Sequence, residues 1–348
     1  MVIWSLPADD YDGYVVCGSS ALAHLGSLPG CVGVVTVDLA SPGADLFEAL
    51  RRQHPDHSLV AIPADDAGCD FLALIQTPTI LTAPVASART LAILRDKWSF
   101  YGLCRQLDLP TPPTAFLGEK SGIDIKSLFG SLGDRIVIKP TNLHGGQGVV
   151  VVESADELRT KVLDNPDYRY GSLLGQSWVP GRDLSLNLLA LDGELLHWAI
   201  QNRQGREMVF LGHDGLLEAA RTLVAHLAFS GLANIDVRLD AEGQIYLLEC
   251  NPRPWASLGQ STWAGLNFIQ AALDLATGRA TRQPPQLNEG AAPDMIRWWL
   301  MDGWKPGRWR ALRASRKRMV RGAILTFMSL GWADRLRKIR IRFGLAPA

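Results

Sequence analysis

Asn234-Ile235-Asp236-Val237-Arg238-Leu239-Asp240, followed across a short polar turn by Gln244-Ile245-Tyr246-Leu247-Leu248-Glu249-Cys250-Asn251-Pro252-Arg253, is the stretch that decides the reading of this chain. Two apolar runs, Ala233 to Leu239 and Gln244 to Asn251, flank Asp240-Ala241-Glu242-Gly243, which is the signature of a β-hairpin. Residues two apart on a strand share a face, so Glu249 and Asn251 point the same way. With the turn centred near Glu242, Asp236 lies opposite Glu249 to within one residue. Two carboxylates and an amide oxygen on one side of an apolar hairpin are costly to bury unless a cation sits between them. Hard oxygen donors of this kind suit Mg²⁺ held jointly with phosphate oxygens. A solvent-facing acidic sheet surface is the plainer alternative.

Working outward, Arg135 to Lys139 and Gly148 to Val152 are two β-branched strands joined by Pro140 to Gln147. Gly145, Gly146 and Gly148 let the backbone approach a ligand closely and aim N–H groups at it, as a loop over phosphates requires. Lys139, at the end of the entering strand, places an ammonium where it can offset phosphate charge. An ordinary hairpin loop and a surface lysine remain open for these two features. Thr90 to Leu107 has helical periodicity and carries Asp96-Lys97, and Leu109-Pro110-Thr111-Pro112-Pro113 ends it. Further strands are expected over Asp183 to Leu191, turned by Asp192-Gly193, and helices over Leu216 to Phe229 and Gly265 to Gly278.

Towards the N-terminus, Tyr14 to Cys17 reads as a buried strand running through Gly18 into a helix. Strands follow at Cys31 to Asp38, Leu59 to Pro63 and Thr79 to Thr82, so this part reads as a small α/β unit with a parallel sheet. It holds one glycine at the first turn and no G-x-G-x-x-G, which argues against a dinucleotide site.

At 348 residues and 47% hydrophobic, the chain can build two or three packed units. Five cysteines without a C-x-x-C pair read as reduced thiols of a cytoplasmic protein. Neither a secretion signal nor a membrane span is expected, since the longest apolar run near the C-terminus, Ala323 to Trp332, is too short to span. Charge is balanced overall at 35 against 35, yet 14 Lys and Arg face 2 Asp and Glu from Met295 onward. Five of the eleven tryptophans fall in the same tail. Basic helices docked on the chain's own acidic body would account for this, as would peripheral contact with an anionic membrane surface. Nucleic acid is not expected as a partner, because charge alone supports it and no motif does.

Ile138-Lys139-Pro140 with the Gly145 to Val149 loop, then Gln176-Ser177-Trp178-Val179-Pro180-Gly181-Arg182-Asp183, then the two halves of the hairpin above, resemble the ATP-grasp superfamily in order and spacing. The likeness runs over roughly residues 10 to 280 and is greatest to carbamoyl-phosphate synthase large subunits and carboxylate-amine ligases. It implies an α/β (α+β) ATP-grasp fold with a Rossmann-like domain over 1–90, an ATP-grasp domain over 91–280 whose lid covers about 112–175, and a linker with a basic helical tail over 281–348. It further implies that Lys97 and Lys139 contact ATP phosphates beneath the Gly145, Gly146 and Gly148 loop, and that Gln176 belongs to the nucleotide site. Backbone around Trp178 and Val179 would grip adenine, with Asp183 near the ribose. Asp236, Glu249 and Asn251 would hold Mg²⁺, with Mn²⁺ a substitute, and Arg253 would face the acyl phosphate. Two departures touch nucleoside binding: Ser177 stands where relatives often have glutamate, and Asp183 replaces another glutamate.

The activity implied is amide-bond formation between a small-molecule carboxylate and an amine, through an acyl phosphate, with ADP and phosphate released. A bicarbonate-activating carboxylase-like enzyme and an ATP-binding module without turnover stay open, as does a homodimer. Arg203 and Arg206 are candidates for gripping an anionic substrate, with a solvated loop equally good. No general base is identifiable; His144, His197 and His213 are nearest to the expected site.

Overall fold

A computed structural model describes residues 13–18, 31–38, 44–75, 80–303, 305 and 307–328. The helix expected beyond Gly18 and the last stretch of the basic tail lie outside the described residues.

In the N-terminal part, β1 (Gly13–Cys17) pairs in parallel with β2 (Cys31–Thr36), and β3 (Val60–Ala61) pairs in parallel with β4 (Leu81–Thr82). Helices α1 (Ala44–Gln53) and α2 (Asp66–Leu74) pack around Phe47, Leu50, Phe71, Leu72 and Ile80. The helix read over Thr90 to Leu107 is two helices, α3 (Ala88–Arg95) and α4 (Lys97–Gln106). Asp96 is the break: its backbone is extended (φ −82°, ψ 116°) and its carboxylate accepts the Ser99 N–H, so an N-cap competes successfully with helix continuation. The break makes Lys97 the first residue of a helix.

Residues 114–177 supply a four-stranded antiparallel sheet in the order β5-β8-β6-β7, from β5 (Thr114–Gly118), β6 (Ile136–Pro140), β7 (Val150–Val152) and β8 (Leu173–Ser177). Helices α5 (Ile125–Leu132) and α6 (Ala155–Leu158) close its core of Leu128, Ile136, Ile138, Val152, Leu158 and Leu173.

The larger sheet runs β13-β12-β9-β10-β11-β15, with β14 beside β10. Its strands are β9 (Arg182–Leu191), β10 (Glu194–Gln204), β11 (Glu207–Leu211), β12 (Gly231–Leu239), β13 (Ile245–Asn251), β14 (Gln286–Leu287) and β15 (Ala291–Pro293). One face, with Leu184, Leu186, Leu188, Ile235, Val237 and Leu247, packs on α3, α4 and α7 (Asp214–His226). Burying such side chains contributes about 1.5–3 kcal/mol each. The other face is divided. Leu189, Ala199 and Leu232 meet Trp255, Leu258 and Phe268 around α8 (Leu258–Ala264) and α9 (Phe268–Ala276). Beside them, in strict alternation with the core side, stand Ser185, Asn187, Gln201, Asn234 and Asp236. The helix read over Gly265 to Gly278 thus starts later, at Phe268, with Asn267 as its cap.

Of the tail, α10 (Met295–Trp298), α11 (Arg308–Ala311) and α12 (Ala314–Met328) are described. Met319, Val320 and Ala323 enter the core around Phe268, and Arg316 lies 4.8 Å from the Trp263 ring centre while donating to the Trp263 carbonyl at 2.9 Å. No helix among the described residues is long and apolar enough to cross a membrane.

Candidate functional site

The β12–β13 hairpin pairs Asp236 directly with Glu249 and Asn234 with Asn251, which places all four side chains on the polar face. The register shifts just beyond Asp236, where Val237 pairs with Leu247, so Leu248 is an extra residue bulged out of β13. Ser185 on β9 donates to Asp236 Oδ1 at 2.9 Å. Burial, reinforced by the Glu249 charge, pushes the Asp236 carboxyl up to about 7. Burial acts on Glu249 in the same direction, but Lys97 and Lys139 together outweigh it and hold that carboxyl below its ordinary value. Asn251 Nδ2 donates to Glu249 Oε1 at 3.4 Å.

Two lysines converge on this hairpin from different elements. Lys97, 6% exposed, starts α4, ion-pairs with Glu249 Oε2 at 3.2 Å and donates to the Leu143 carbonyl of the glycine loop. Its backbone N–H also holds the Thr141 carbonyl at 2.7 Å. Lys139, 5% exposed on β6, donates to Gln176 Oε1 at 2.9 Å and to the carbonyl of the bulged Leu248 at 3.5 Å. Burial pulls Lys139 down to about 8, against the opposing pull of Glu249.

The donor set fits magnesium rather than a site made wholly of protein. Among the described residues no group of three or more His, Cys, Asp or Glu is arranged around a metal position. Asp236, Glu249 and Asn251 offer two carboxylates and one amide oxygen, all hard donors. A magnesium there would complete its shell with phosphate oxygens and water. Two carboxylates paired across a ladder in a buried layer repel one another, and a cation between them would offset that repulsion.

The Gly145, Gly146 and Gly148 loop is left-handed at all three glycines (φ +66°, +75° and +70°). The first two face open space. A Cβ on Gly148 would meet Pro140 Cγ at 2.7 Å and Tyr170 Cε2 at 2.9 Å, so this glycine is required by packing as well as by its backbone. At the end of β8, Gln176 Nε2 donates to Thr114 Oγ1 at 2.9 Å, and Ser177 Oγ donates to the Leu132 carbonyl at 2.8 Å. Arg238 of β12 fixes the residues leading into β9: Nε holds the Val179 carbonyl at 3.1 Å, Nη2 the Gly181 carbonyl at 2.9 Å and Nη1 Asp183 Oδ1 at 2.7 Å. The Trp178 ring lies between two guanidiniums, 4.2 Å from Arg135 and 5.0 Å from Arg238. The Val179 carbonyl is thus committed to Arg238, and the Trp178 N–H to the Arg135 carbonyl at 3.0 Å.

Arg253, on the loop after β13, is held by three acceptors. Nε donates to Asp66 Oδ2 at 2.8 Å, Nη2 to Asn251 Oδ1 at 3.2 Å and Nη1 to the Pro254 carbonyl at 3.2 Å. Asp66 begins α2 and also ion-pairs with Arg95, whose Nε lies 2.9 Å from Oδ1, so this carboxylate joins the N-terminal part to the site.

The remaining candidates stand apart. Arg203 and Arg206 are exposed at the β10–β11 turn, where Arg206 gives its carbonyl to the Asp294 N–H, and no hydrogen bond or ion pair among the described residues joins either to the cluster. Arg203 shares the face of Gln201, two residues back. His197 is buried against the Pro284 carbonyl at 2.9 Å and His213 caps α7, so both are structural; His144 is exposed in the glycine loop. Asn187, Ser185, Gln201, Arg238 and Asp66 escaped the reading of the sequence. The period-two spacing of Asp183, Ser185 and Asn187 within an otherwise leucine-rich strand was the available signal for two of them.

A family model described as ATP-grasp in the biosynthetic pathway with Ter operon matches residues 171–296. The chain is 30% identical over 251 residues to D-alanine–D-alanine ligase of Alkalilimnicola ehrlichii, covering 61% of this chain and 78% of that protein. It is 26% identical over 182 residues to the arginine-specific large chain of carbamoyl phosphate synthase of Bacillus subtilis, covering 48% of this chain but only 17% of that much longer protein. Among solved structures, N5-carboxyaminoimidazole synthetase of Staphylococcus aureus complexed with ADP superposes with a TM-score of 0.62 at 14% identity, over 83% of this chain and 76% of that one. L-amino acid ligase of Bacillus licheniformis gives 0.52 at 18% identity, over 76% and 73%. The residues matched by the family model hold the larger sheet and the hairpin just described, and the chain belongs to the ATP-grasp superfamily of carboxylate-amine ligases.

Proposed function

We propose that this chain is an ATP- and magnesium-dependent ligase that joins a small carboxylate to an amine through an acyl phosphate and releases ADP and phosphate. The observation that carries the reading is the chain of contacts linking Lys139, Lys97, Glu249, Asp236, Asn251 and Arg253 in one largely buried corner. A carboxylate does not accept an amine at neutral pH because its oxygen is too poor a leaving group. Attack of a carboxylate oxygen on the γ-phosphorus forms a C–O–P link and breaks the bond to ADP. The amine then attacks the carbonyl carbon, loses a proton, and phosphate departs.

Charge offset and positioning are most of what this demands of a protein. Lys139 and Lys97 would contact the phosphates, exchanging the Gln176, Leu248 and Leu143 oxygens they now hold for phosphate oxygens. Arg253, braced by Asp66 and Asn251, would face the transferring group. Magnesium held by Asp236, Glu249 and Asn251 would add Lewis-acid charge on the phosphate oxygens. The small sheet with its glycine loop would act as the lid that keeps water from the acyl phosphate. The Trp178 carbonyl and the Val179 N–H would meet adenine, with Asp183 towards the ribose. Arg203, on the face of Gln201, would meet the acid only if its carboxylate extends to that strand end.

Incubating the protein with Mg·ATP and paired panels of amino acids and small acids, one carboxylate ¹⁸O-labelled, tests the reading. Phosphate release that needs both partners and carries ¹⁸O into the phosphate is expected. AMP and pyrophosphate as products, or turnover driven by bicarbonate alone, would overturn it.

A further inference from the structure

Asn251 sits between a group that can only accept and one that can only donate. The Glu249 carboxylate takes its Nδ2 at 3.4 Å and the Arg253 guanidinium donates to its Oδ1 at 3.2 Å, two long contacts that favour one orientation of its amide and leave room for a neighbour to tip it. The same Nδ2 reaches Asn234 Oδ1 on β12 at 3.5 Å. Asn234 must then turn its nitrogen away, and it donates to Asn187 Oδ1 on β9 at 2.9 Å. The three asparagines occupy one row of the sheet, Asn251 opposite Asn234 and Asn234 opposite Asn187.

The row ends at a cost. Asn187 is wholly buried (0% exposed), its register partner on β10 is Ala199, and its Nδ2 has no hydrogen-bond partner among the described residues. A buried donor left unmade costs about 1–3 kcal/mol, and an apolar side chain of the same size would remove that cost while leaving the Asn234 nitrogen without its acceptor. Leu189, two residues on along the same face, shows that leucine fits this layer. What Asn187 supplies is an acceptor for Asn234.

We propose that Asn187 is a positioning residue for the metal, acting through Asn234 to keep the oxygen and not the nitrogen of Asn251 turned towards the cation. The inference rests on the assignment of Asp236, Glu249 and Asn251 as magnesium ligands in the proposed function. Without the Asn187 oxygen, Asn234 gains nothing by pointing its nitrogen at β9. Its amide is then free to reverse and present nitrogen to Asn251, which sets two donors against each other and favours reversal of the ligand itself. Outer partners of metal ligands act in this way, and their loss weakens metal binding about 10–100-fold.

The test uses Mn²⁺ as the probe, with the full chain saturated with ADP, following free Mn²⁺ by electron paramagnetic resonance. Asn187→Leu should weaken Mn²⁺ binding at least about tenfold, with metal-free ADP affinity unchanged and thermal stability little changed, since one unpaired donor is removed as another is left. Asn187→Asp, whose carboxylate can accept the same bond from Asn234, should restore the affinity. If Asn187→Leu is not recovered folded, Asn187→Ser carries the test, because its hydroxyl falls short of Asn234. Equal Mn²⁺ affinity in wild type and the Leu or Ser variant overturns the relay while leaving the metal site standing. So does an Asp variant as weak as the Leu variant. If wild type with ADP takes up no Mn²⁺, the metal reading itself falls and takes the relay with it.

Discussion

The two hairpins that face each other across the site solve opposite problems. In β12–β13 the functional groups are side chains on strands, mostly buried, each with a partner: Asp236 with Ser185, Glu249 with Lys97, Asn251 with Asn234. In β6–β7 the functional group of the connection is the backbone, carried on glycines of which two face open space. The first hairpin is held rigid by a polar layer that folding must satisfy; in the second, Lys97 holds Thr141 and Leu143 and Tyr168 holds Gly148, and the pliable part between them is Gly145 and Gly146, with no side chain to pack. Rigid ligands and a pliable cover are what phosphoryl transfer under a closing lid would need.

The largest expected effect comes from the rigid hairpin. Glu249→Gln keeps the shape and removes the charge that pairs with Lys97 and that the proposed magnesium would share, and should lower substrate-dependent phosphate release about a thousandfold, equivalent to about 4 kcal/mol of transition-state stabilisation. The melting temperature should scarcely move; a large fall would mean that the pair is structural. Lys139→Met comes next, with turnover down about a hundredfold and ADP binding weakened, since its ammonium is fixed between β8 and the bulge.

The pliable hairpin should respond in stability, and unevenly. Gly148→Ala forces a Cβ into Pro140 and Tyr170 at φ +70° and should cost about 2–3 kcal/mol in denaturant unfolding. Gly145→Ala, strained but unobstructed, should cost about 1 kcal/mol and slow turnover more than it lowers stability. Equal costs at the two positions would erase the distinction drawn between packing and pliancy.

The smallest effect is a pH dependence. Lys139 titrates near 8 in the folded, nucleotide-free chain instead of at the ordinary 10.5. Phosphates prefer its charged form, so ADP affinity should fall as pH rises through about 8, by up to about tenfold per unit. The sign for folding is the reverse: between about 8 and 10.5 the unfolded chain binds the extra proton, so this group's contribution to stability rises with pH across that window. Calorimetric ADP titrations at pH 7 and 9 check the first statement, and both should flatten in Lys139→Met.

What could be read without coordinates obeyed local rules. Period-two spacing put Glu249 and Asn251 on one face, and turn chemistry put Asp236 opposite Glu249 to within one residue, an offset that the bulged Leu248 accounts for. Lys139 and the glycine loop were legible for the same reason. The single helix read over Thr90 to Leu107 missed the cap at Asp96, because an Asp one step before Lys97 gives no break in hydrophobic period. Asp66, Asn187 and Gln201 were invisible for another reason. Asp66 lies 187 residues from Arg253 in sequence, and Asn187 lies 47 from Asn234, so only strand order brings them together. Arg203 and Arg206 were singled out by residue type, and the structure leaves them at an exposed turn.

The bulge at Leu248 has a genetic corollary. Its carbonyl is aimed at Lys139, and because it stands out of the ladder, Glu249 and not Leu248 lies opposite Asp236. Side chains alternate strictly along a regular strand. A ladder that took Leu248 into register would therefore move Glu249 and Asn251 to the side of the leucine core and bring Cys250 to the polar one. Loss of the single codon at 248 would do the reverse: Glu249 would stay opposite Asp236 in an unbroken ladder, and only the carbonyl that faces Lys139 would go. When distant sequences are aligned, a relative with a regular hairpin needs a one-residue gap at this step, or carboxylates are matched to core positions.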